Sequence, residues 1–144
     1  MIIFNKSNLL RRIVAGIIDY ILIFCFTIIY ISLVGEPNNN GGSVVSGYKS
    51  LGPILFWLTM TVGLEQFFGR TIGNSAVELK PISINGLWER PTFTQSLKRH
   101  LLDPIDMFFF GMVGIIVVSS TPNSQRLGDL WAETNVVRTD SKKI

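Results

Sequence analysis

Three apolar runs separated by polar segments set the layout of this chain. The first covers residues 13–34, 22 positions with a single charge, Asp19. At ~1.5 Å per residue a helix of that length reaches about 33 Å, enough to cross a hydrocarbon core of about 30 Å. The second covers residues 51–69, 19 positions, again with one charge, Glu65. Pro53 falls in its first turn, where a missing N–H leaves no helical bond unmade. The third, residues 107–119, holds 13 uncharged positions and extends backwards through Asp103-Pro104-Ile105-Asp106. Asp103 before Pro104 reads as a helix N-cap with proline at the first helical position. That length lies between a span and a re-entrant or interfacial helix, so both passages stay open. The predicted helices cover residues 10–34, 51–69 and 103–120.

The polar segments carry shorter signals. Residues 35–50 (GEPNNNGGSVVSGYKS) read as a flexible loop. VELKPISI at 77–84 alternates and runs into Asn85-Gly86, a strand ending in a turn, and TNVVR at 134–138 is its natural partner. TQSLKRHLL at 94–102 is basic and partly amphipathic, which suits a helix lying at the membrane surface. Trp88 and Trp131 would anchor at that interface, and Tyr30 and Tyr48 at the outer one. Lys and Arg number three before the first run, one in the 35–50 loop and five between 70 and 99. The N-terminus and the second loop are therefore expected inside and the 35–50 loop outside; Arg126, Arg138, Lys142 and Lys143 favour an inside tail. The expected fold is one all-α integral membrane domain over all 144 residues: three membrane-embedded helices with a short cytoplasmic strand pair.

Composition narrows the function. Hydrophobic residues make up 47% and charged residues 16%, below the usual quarter and in keeping with a lipid bilayer as partner. The net charge of +3 is spread over membrane-flanking segments, so it reads as an orientation signal and not a nucleic-acid footprint. The first run exceeds the 7–15 residues of a signal-peptide core and is read as a retained span. Cys25 is the single cysteine, which excludes an intramolecular disulfide, and is expected as a small buried apolar residue. One histidine and one cysteine argue against a transition-metal site, and no cofactor is implied. GRTIG at 69–73 lacks the Lys-Ser/Thr pair of a phosphate loop, and no nucleophile–base pairing suggests an enzyme.

The charges within the apolar runs carry the chemistry. A carboxylate inside a span costs about 2.5–3.5 kcal/mol and is a site hypothesis by default. Arg12 and Asp19 lie seven residues apart, two helical turns on one face, with Ala15 and Gly16 between them to admit a close neighbour. Glu65 lies five residues before Arg70, flanked by Thr61 and Gly69. Asp19 and Glu65 should thus sit at similar depth, with Asp106 joining from the third helix. One reading is a proton or cation site, because neighbouring buried carboxylates raise each other's pKa and a cation can replace the missing proton. The other is internal ion pairing: Arg12 with Asp19, Glu65 with Arg70 or with hydroxyls, Asp103 as a cap and Asp106 on the helix dipole.

RRIVAGIIDY (11–20), LEQFFGRTIG (64–73) and QRLGDLWAETNVV (125–137) together resemble the RDD family of small bacterial membrane proteins. The family is named for one arginine and two aspartates. Arg12 and Asp19 match the first two; Asp129 matches the third, with Asp106 the alternative. Relatives usually read GK after the threonine of the second motif and AGT near the end, where this chain has Gly73-Asn74 and Ala132-Glu133-Thr134. The resemblance implies a multi-pass bacterial membrane protein with a transport role, some relatives being sodium/proton antiporters. The leading expectation is movement of a small ligand, such as a monovalent cation against protons, with Asp19 as carrier, Arg12 tuning it and Glu65 assisting. Three helices cannot enclose an aqueous path, so transport calls for a homo-oligomer or a partner membrane protein. The rival expectation is a non-transporting accessory or scaffolding protein.

Overall fold

A computed structural model describes residues 8–85, 89–106 and 108–139, with the side chains of 108–110 left aside. Helix α1, Leu9–Val34, is followed by a hairpin of two-residue strands, β1 (Glu36–Pro37) and β2 (Ser43–Val44). The 35–50 loop therefore has its own order: the Asn38 carboxamide oxygen accepts from Asn40 N and Gly42 N, both at 3.0 Å, and Lys49 pairs with Glu36 at 2.8 Å. Helix α2, Gly47–Phe68, returns alongside α1, with the Tyr30 hydroxyl donating to Lys49 O at 2.8 Å. A side chain at Gly52 would collide with the Tyr30 ring, so glycine sets how closely the two helices approach.

Helix α2 is not uniform. Its stretch Thr59–Gly63 is π-helical, where one extra residue fits into the turn and re-aims the residues after it. Thr61, Val62 and Glu65 are buried as a result. Gly69, left-handed at φ 78°, ends the helix, and a Cβ there would press on Arg90.

The chain then builds a cap at the N-terminal end of α1. It comprises α3 (Ile72–Ala76), β3 (Leu79–Ser83) and α4 (Phe93–Leu101), joined later by α7 (Leu127–Trp131) and β4 (Thr134–Arg138). The expected strand pair is present: β3 and β4 run antiparallel, with Leu79 opposite Arg138 and Ser83 opposite Thr134. Helix α4 opens with a capping box, Thr92 and Gln95 bonding reciprocally. Its amphipathicity is inverted for a surface helix. Ser96, Arg99 and His100 turn inward and are buried, while Phe93 and Leu101 are exposed. Trp88 lies outside the described residues. Trp131 is half exposed with Lys98 Nζ 5.5 Å from its ring centre, and Tyr48 is exposed at the opposite end of the fold.

The third apolar run is broken. Short α5, Asp103–Asp106, and α6, Phe108–Ser120, replace the continuous helix expected at 103–120. The axes of Phe93–Asp106 and Gly111–Ser120 differ by 115°. Gly111 adopts φ 84°, a conformation without steric penalty only for glycine, and lets the chain turn there. The flanks of α6 meet, for Gly128 N donates to Asp106 Oδ2 at 3.4 Å and Gln125 Nε2 reaches Thr134 O at 2.7 Å. Both ends of α6 thus belong to the cap.

Two helices, α1 and α2, are long and apolar enough to cross a membrane, and the bent pair makes a third if counted as one span. In its most apolar window α1 is only 6% buried by the chain itself, so most of that surface is left for lipid or another subunit. Cys25 is on this outward face and exposed, contrary to the buried position expected of it, because the chain supplies too few helices to surround α1.

The topology prediction uses single cysteines at exposed Asn39 and Asn85 in a Cys25→Ser background. An impermeant thiol reagent should label position 39 in intact cells and reach position 85 only after permeabilisation. A third cysteine at exposed Glu133 should behave like position 85, since Ile84 N donates to Glu133 O at 2.9 Å.

Candidate functional site: a buried charge cluster at the foot of the spans

Four basic and five acidic side chains converge where α1 meets the cap: Arg12, Arg99, His100 and Arg126 with Asp19, Glu65, Asp103, Asp106 and Asp129. Asp129 is the centre. Its Oδ1 accepts from Arg99 Nε at 2.9 Å, and its Oδ2 accepts from Arg12 Nη2 and from Arg126 N, the latter at 3.0 Å. The last bond also caps α7, the acid at the third helical position reaching back to the first free N–H. Burial raises the Asp129 carboxyl, but Arg12, Arg99 and Arg126 outweigh it and hold the pKa below the usual carboxylate range. Arg126 is shifted upward in turn: burial opposes its charge, and Asp103, Asp129 and Asp106 restore it.

Arg99 bridges onward, its Nη1 donating to Glu65 Oε1 at 3.0 Å. The same oxygen accepts from Ser96 Oγ at 2.6 Å, and Ser96 is held by Gln66 Nε2 at 2.8 Å. His100 sits between two carboxylates, with Nδ1 2.7 Å from Asp103 Oδ2 and Nε2 3.3 Å from Glu65 Oε2. Asp103 therefore turns to the imidazole and lies 3.5 Å from Arg126 Nη1, instead of capping its helix as the Asp-Pro pair suggested.

Asp19 belongs to a different contact. Its Oδ2 accepts from Thr71 Oγ1 at 2.6 Å and its Oδ1 from Gly73 N at 2.7 Å, so it binds the N-terminus of α3. Thr71 is the N-cap of that helix, accepting from Asn74 N at 3.2 Å. Gly73 is required by the approach: a Cβ would collide with the Ala15 carbonyl oxygen. The small pair Ala15-Gly16 does admit a close neighbour, and the neighbour is α3. The threonine and second glycine of GRTIG are thus a docking element for α1.

The expected pairings Arg12–Asp19 and Glu65–Arg70 are not formed, while the alternative expected for Glu65, a hydroxyl, is met by Ser96. Arg12 turns to the tail because Asp129, already flanked by Arg99, is the buried acceptor within reach, while Asp19 is occupied by α3. Glu65 turns to α4 because the left-handed Gly69 ends α2 before Arg70 can fold back onto it. Asp106 accepts from Gly128 N through one oxygen, and the other is buried without a hydrogen-bond partner. Asp19, Glu65 and Asp106 were expected near one depth, and all three reach the cluster. Arg99, His100 and Arg126 were not foreseen. Positions 96, 99 and 100 share one helical face, which was the available signal for α4.

A cavity of about 30 Å³ lies inside the cluster, lined by Asp19, Tyr20, Thr61, His100, Asp103 and Arg126 among others, with room for one or two water molecules. A larger cavity, about 110 Å³, separates α1 from α6; Arg12, Asp106 and Arg126 form its polar end and Ile13, Ile17, Ile115 and Val118 its walls. Among the described residues no group of three or more His, Cys, Asp or Glu side chains is placed to hold a metal ion.

Two helices long and apolar enough to cross a membrane point to a membrane protein. The model of the RDD family matches residues 6–133, a stretch that holds Arg12, Asp19 and Asp129, and the chain belongs to the RDD family. No curated protein and no solved structure matches it.

Removing one partner of a buried ion pair costs about 3–5 kcal/mol when the other is left uncompensated. Arg12→Ala leaves Asp129 with Arg99 and should fall at or below the low end of that range. Asp129→Ala leaves three arginines facing one another and should fall at the high end or prevent folding. Thermal unfolding of the detergent-purified variants should give that order; an equal or reversed order would remove Asp129 from the centre.

Depression of the Asp129 pKa also fixes a pH dependence. A carboxylate held below its unfolded value of about 3.9 stabilises the fold above that pH and loses the contribution as pH falls towards the folded pKa. The Asp129 contribution to melting temperature should thus be level from neutrality to about pH 4 and decline below it. Asp129→Asn should start lower and decline less.

Proposed function

We propose that this chain is a multi-pass protein of the bacterial inner membrane that moves a small ligand, using the buried cluster to accept and release a proton. The observation that carries this reading is the small polar cavity. It brings a span carboxylate, Asp19, to the same water-sized space as His100 and Asp103. Such a space supports proton transfer between groups on α1 and groups on the cap. Arg12, His100 and Arg126 outnumber Asp19 and Asp103 in its lining and disfavour a free metal cation there, whereas a proton enters as a covalent O–H on a carboxyl group. In a cation/proton exchanger, the cation would then pass elsewhere, along a surface completed by a second copy or a partner membrane protein.

The accessory or scaffolding reading has its own support. Both oxygens of Asp19 are taken by Thr71 and Gly73, which is how a structural latch would be built. Asp19→Asn separates the two. An asparagine can accept from Gly73 N and donate to Thr71 Oγ1, so the dock survives while the titratable proton is lost. In proteoliposomes with an imposed pH gradient and an internal pH dye, wild-type protein should show proton flux responsive to sodium or potassium. Asp19→Asn, folded and inserted, should lose at least about 90% of it, the tenfold equivalent of 1.4 kcal/mol. Wild-type protein silent towards both cations, with a variant of unchanged melting temperature, would leave the scaffold reading.

A further inference from the structure

The geometry points to a binding site for one aminophospholipid in the cavity between α1 and α6, with the headgroup between Arg12 and Asp106. Two buried polar atoms in the described residues make the case. Arg12 Nη1 and Asp106 Oδ1 have no hydrogen-bond partner, and both side chains line this cavity. One is a donor fixed by its sister nitrogen's bond to Asp129, and the other an acceptor fixed by its sister oxygen's bond to Gly128 N. A ligand completing both must present an oxyanion and a donor side by side. Arg126, on the same rim, adds a second positive charge for the oxyanion.

The rest of the cavity says what is attached to that headgroup. Its walls are Ile13, Ile17, Ile115 and Val118. Ile17 is 50% exposed, and neighbouring Leu10 and Met112 are exposed, so the space opens onto the face left for lipid. Ile17 lies five residues beyond Arg12 along α1, ~7.5 Å further into the membrane at ~1.5 Å per residue. Polar groups at the foot with an apolar channel leading inward match a phospholipid: phosphate on Arg12 and Arg126, acyl chain along the isoleucines. The donor requirement selects among headgroups. The ammonium of phosphatidylethanolamine can donate to Asp106, whereas the trimethylated nitrogen of phosphatidylcholine cannot. The site stands whether or not the protein moves a ligand.

Native mass spectrometry of the full chain released from nanodiscs of equimolar phosphatidylethanolamine and phosphatidylcholine tests this. One phosphatidylethanolamine should be retained per chain, preferred about tenfold, the effect of one charge-assisted hydrogen bond. In Asp106→Asn the carboxamide oxygen keeps the Gly128 N–H and turns its NH₂ into the cavity, so the preference should fall to about one. Ile17→Trp fills the channel from an exposed position remote from the ion pairs. It should cut retention of both lipids at unchanged melting temperature, which keeps the test decisive if Asp106→Asn fails to fold. Equal retention of the two lipids in the wild type, or Ile17→Trp retaining lipid as the wild type does, would overturn the proposal. So would displacement of the bound lipid by inorganic phosphate alone, which would mark a small-anion site.

Discussion

One carboxylate holds this fold together. Asp129 receives Arg12 from the first span, Arg99 from α4 and the Arg126 backbone of its own helix, so three segments meet on two oxygen atoms. The constraint matters because helices in lipid gain little from burying apolar surface against each other. For a helix as apolar and as little covered as α1, polar contacts at its end are then the available means of fixing where it stands relative to the cap. Burying so many charges is weak as a source of stability, since well-packed apolar residues often do as well. Its product is specificity: a shifted cap would strand Arg12 or Asp129 as an uncompensated buried charge.

From that centre the other features follow. Glu65 must face Arg99, and the π-helical stretch Thr59–Gly63 re-aims α2 just before it. Helix α7 must lie close against α4, and Gly128 permits it, because a Cβ there would collide with the Arg99 carbonyl oxygen. Helix α6 leaves the cap at Asp106 and re-enters it by Gln125, so its 13 residues, ~20 Å at ~1.5 Å each, need not reach the far side.

The parts of this arrangement legible in the amino-acid sequence were those with local signals. A 22-residue apolar run with one charge, the alternation of 77–84 before Asn-Gly, and the Lys/Arg distribution each speak within a short window. The site was half legible. Asp19, Glu65 and Asp106 stood out as carboxylates in or beside apolar runs, but their partners did not. Arg12 and Asp129 are 117 positions apart, and Glu65 and Arg99 are 34 apart. Nearest-charge reasoning chose Asp19 and Arg70 instead, missing that Gly69 turns the chain and that the amide of Gly73 is a competing donor. The five-residue helices Ile72–Ala76 and Leu127–Trp131 were invisible for a related reason. They are too short to show a period, and tertiary contacts at Asp19 and Asp129 hold them.

Asp19 shows how the latch and transport readings can be one mechanism. As a carboxylate it accepts from both Thr71 and Gly73, and α3 is drawn onto α1 at the Ala15 carbonyl. Once protonated, it can still accept from Gly73 N through its carbonyl oxygen and donate its O–H to Thr71 Oγ1, the pattern of the asparagine variant with the threonine hydroxyl reversed. The proton that would be carried therefore reverses one hydrogen bond and leaves α3 docked on α1. Any ligand favouring one of the two orientations of the Thr71 hydroxyl would bind in linkage with the proton. Asp129 cannot serve this way, since three arginines keep it ionised well into the acid range. Within one cluster, the carboxylate with arginine partners fixes the architecture, and the one bonded only to neutral donors is free to respond.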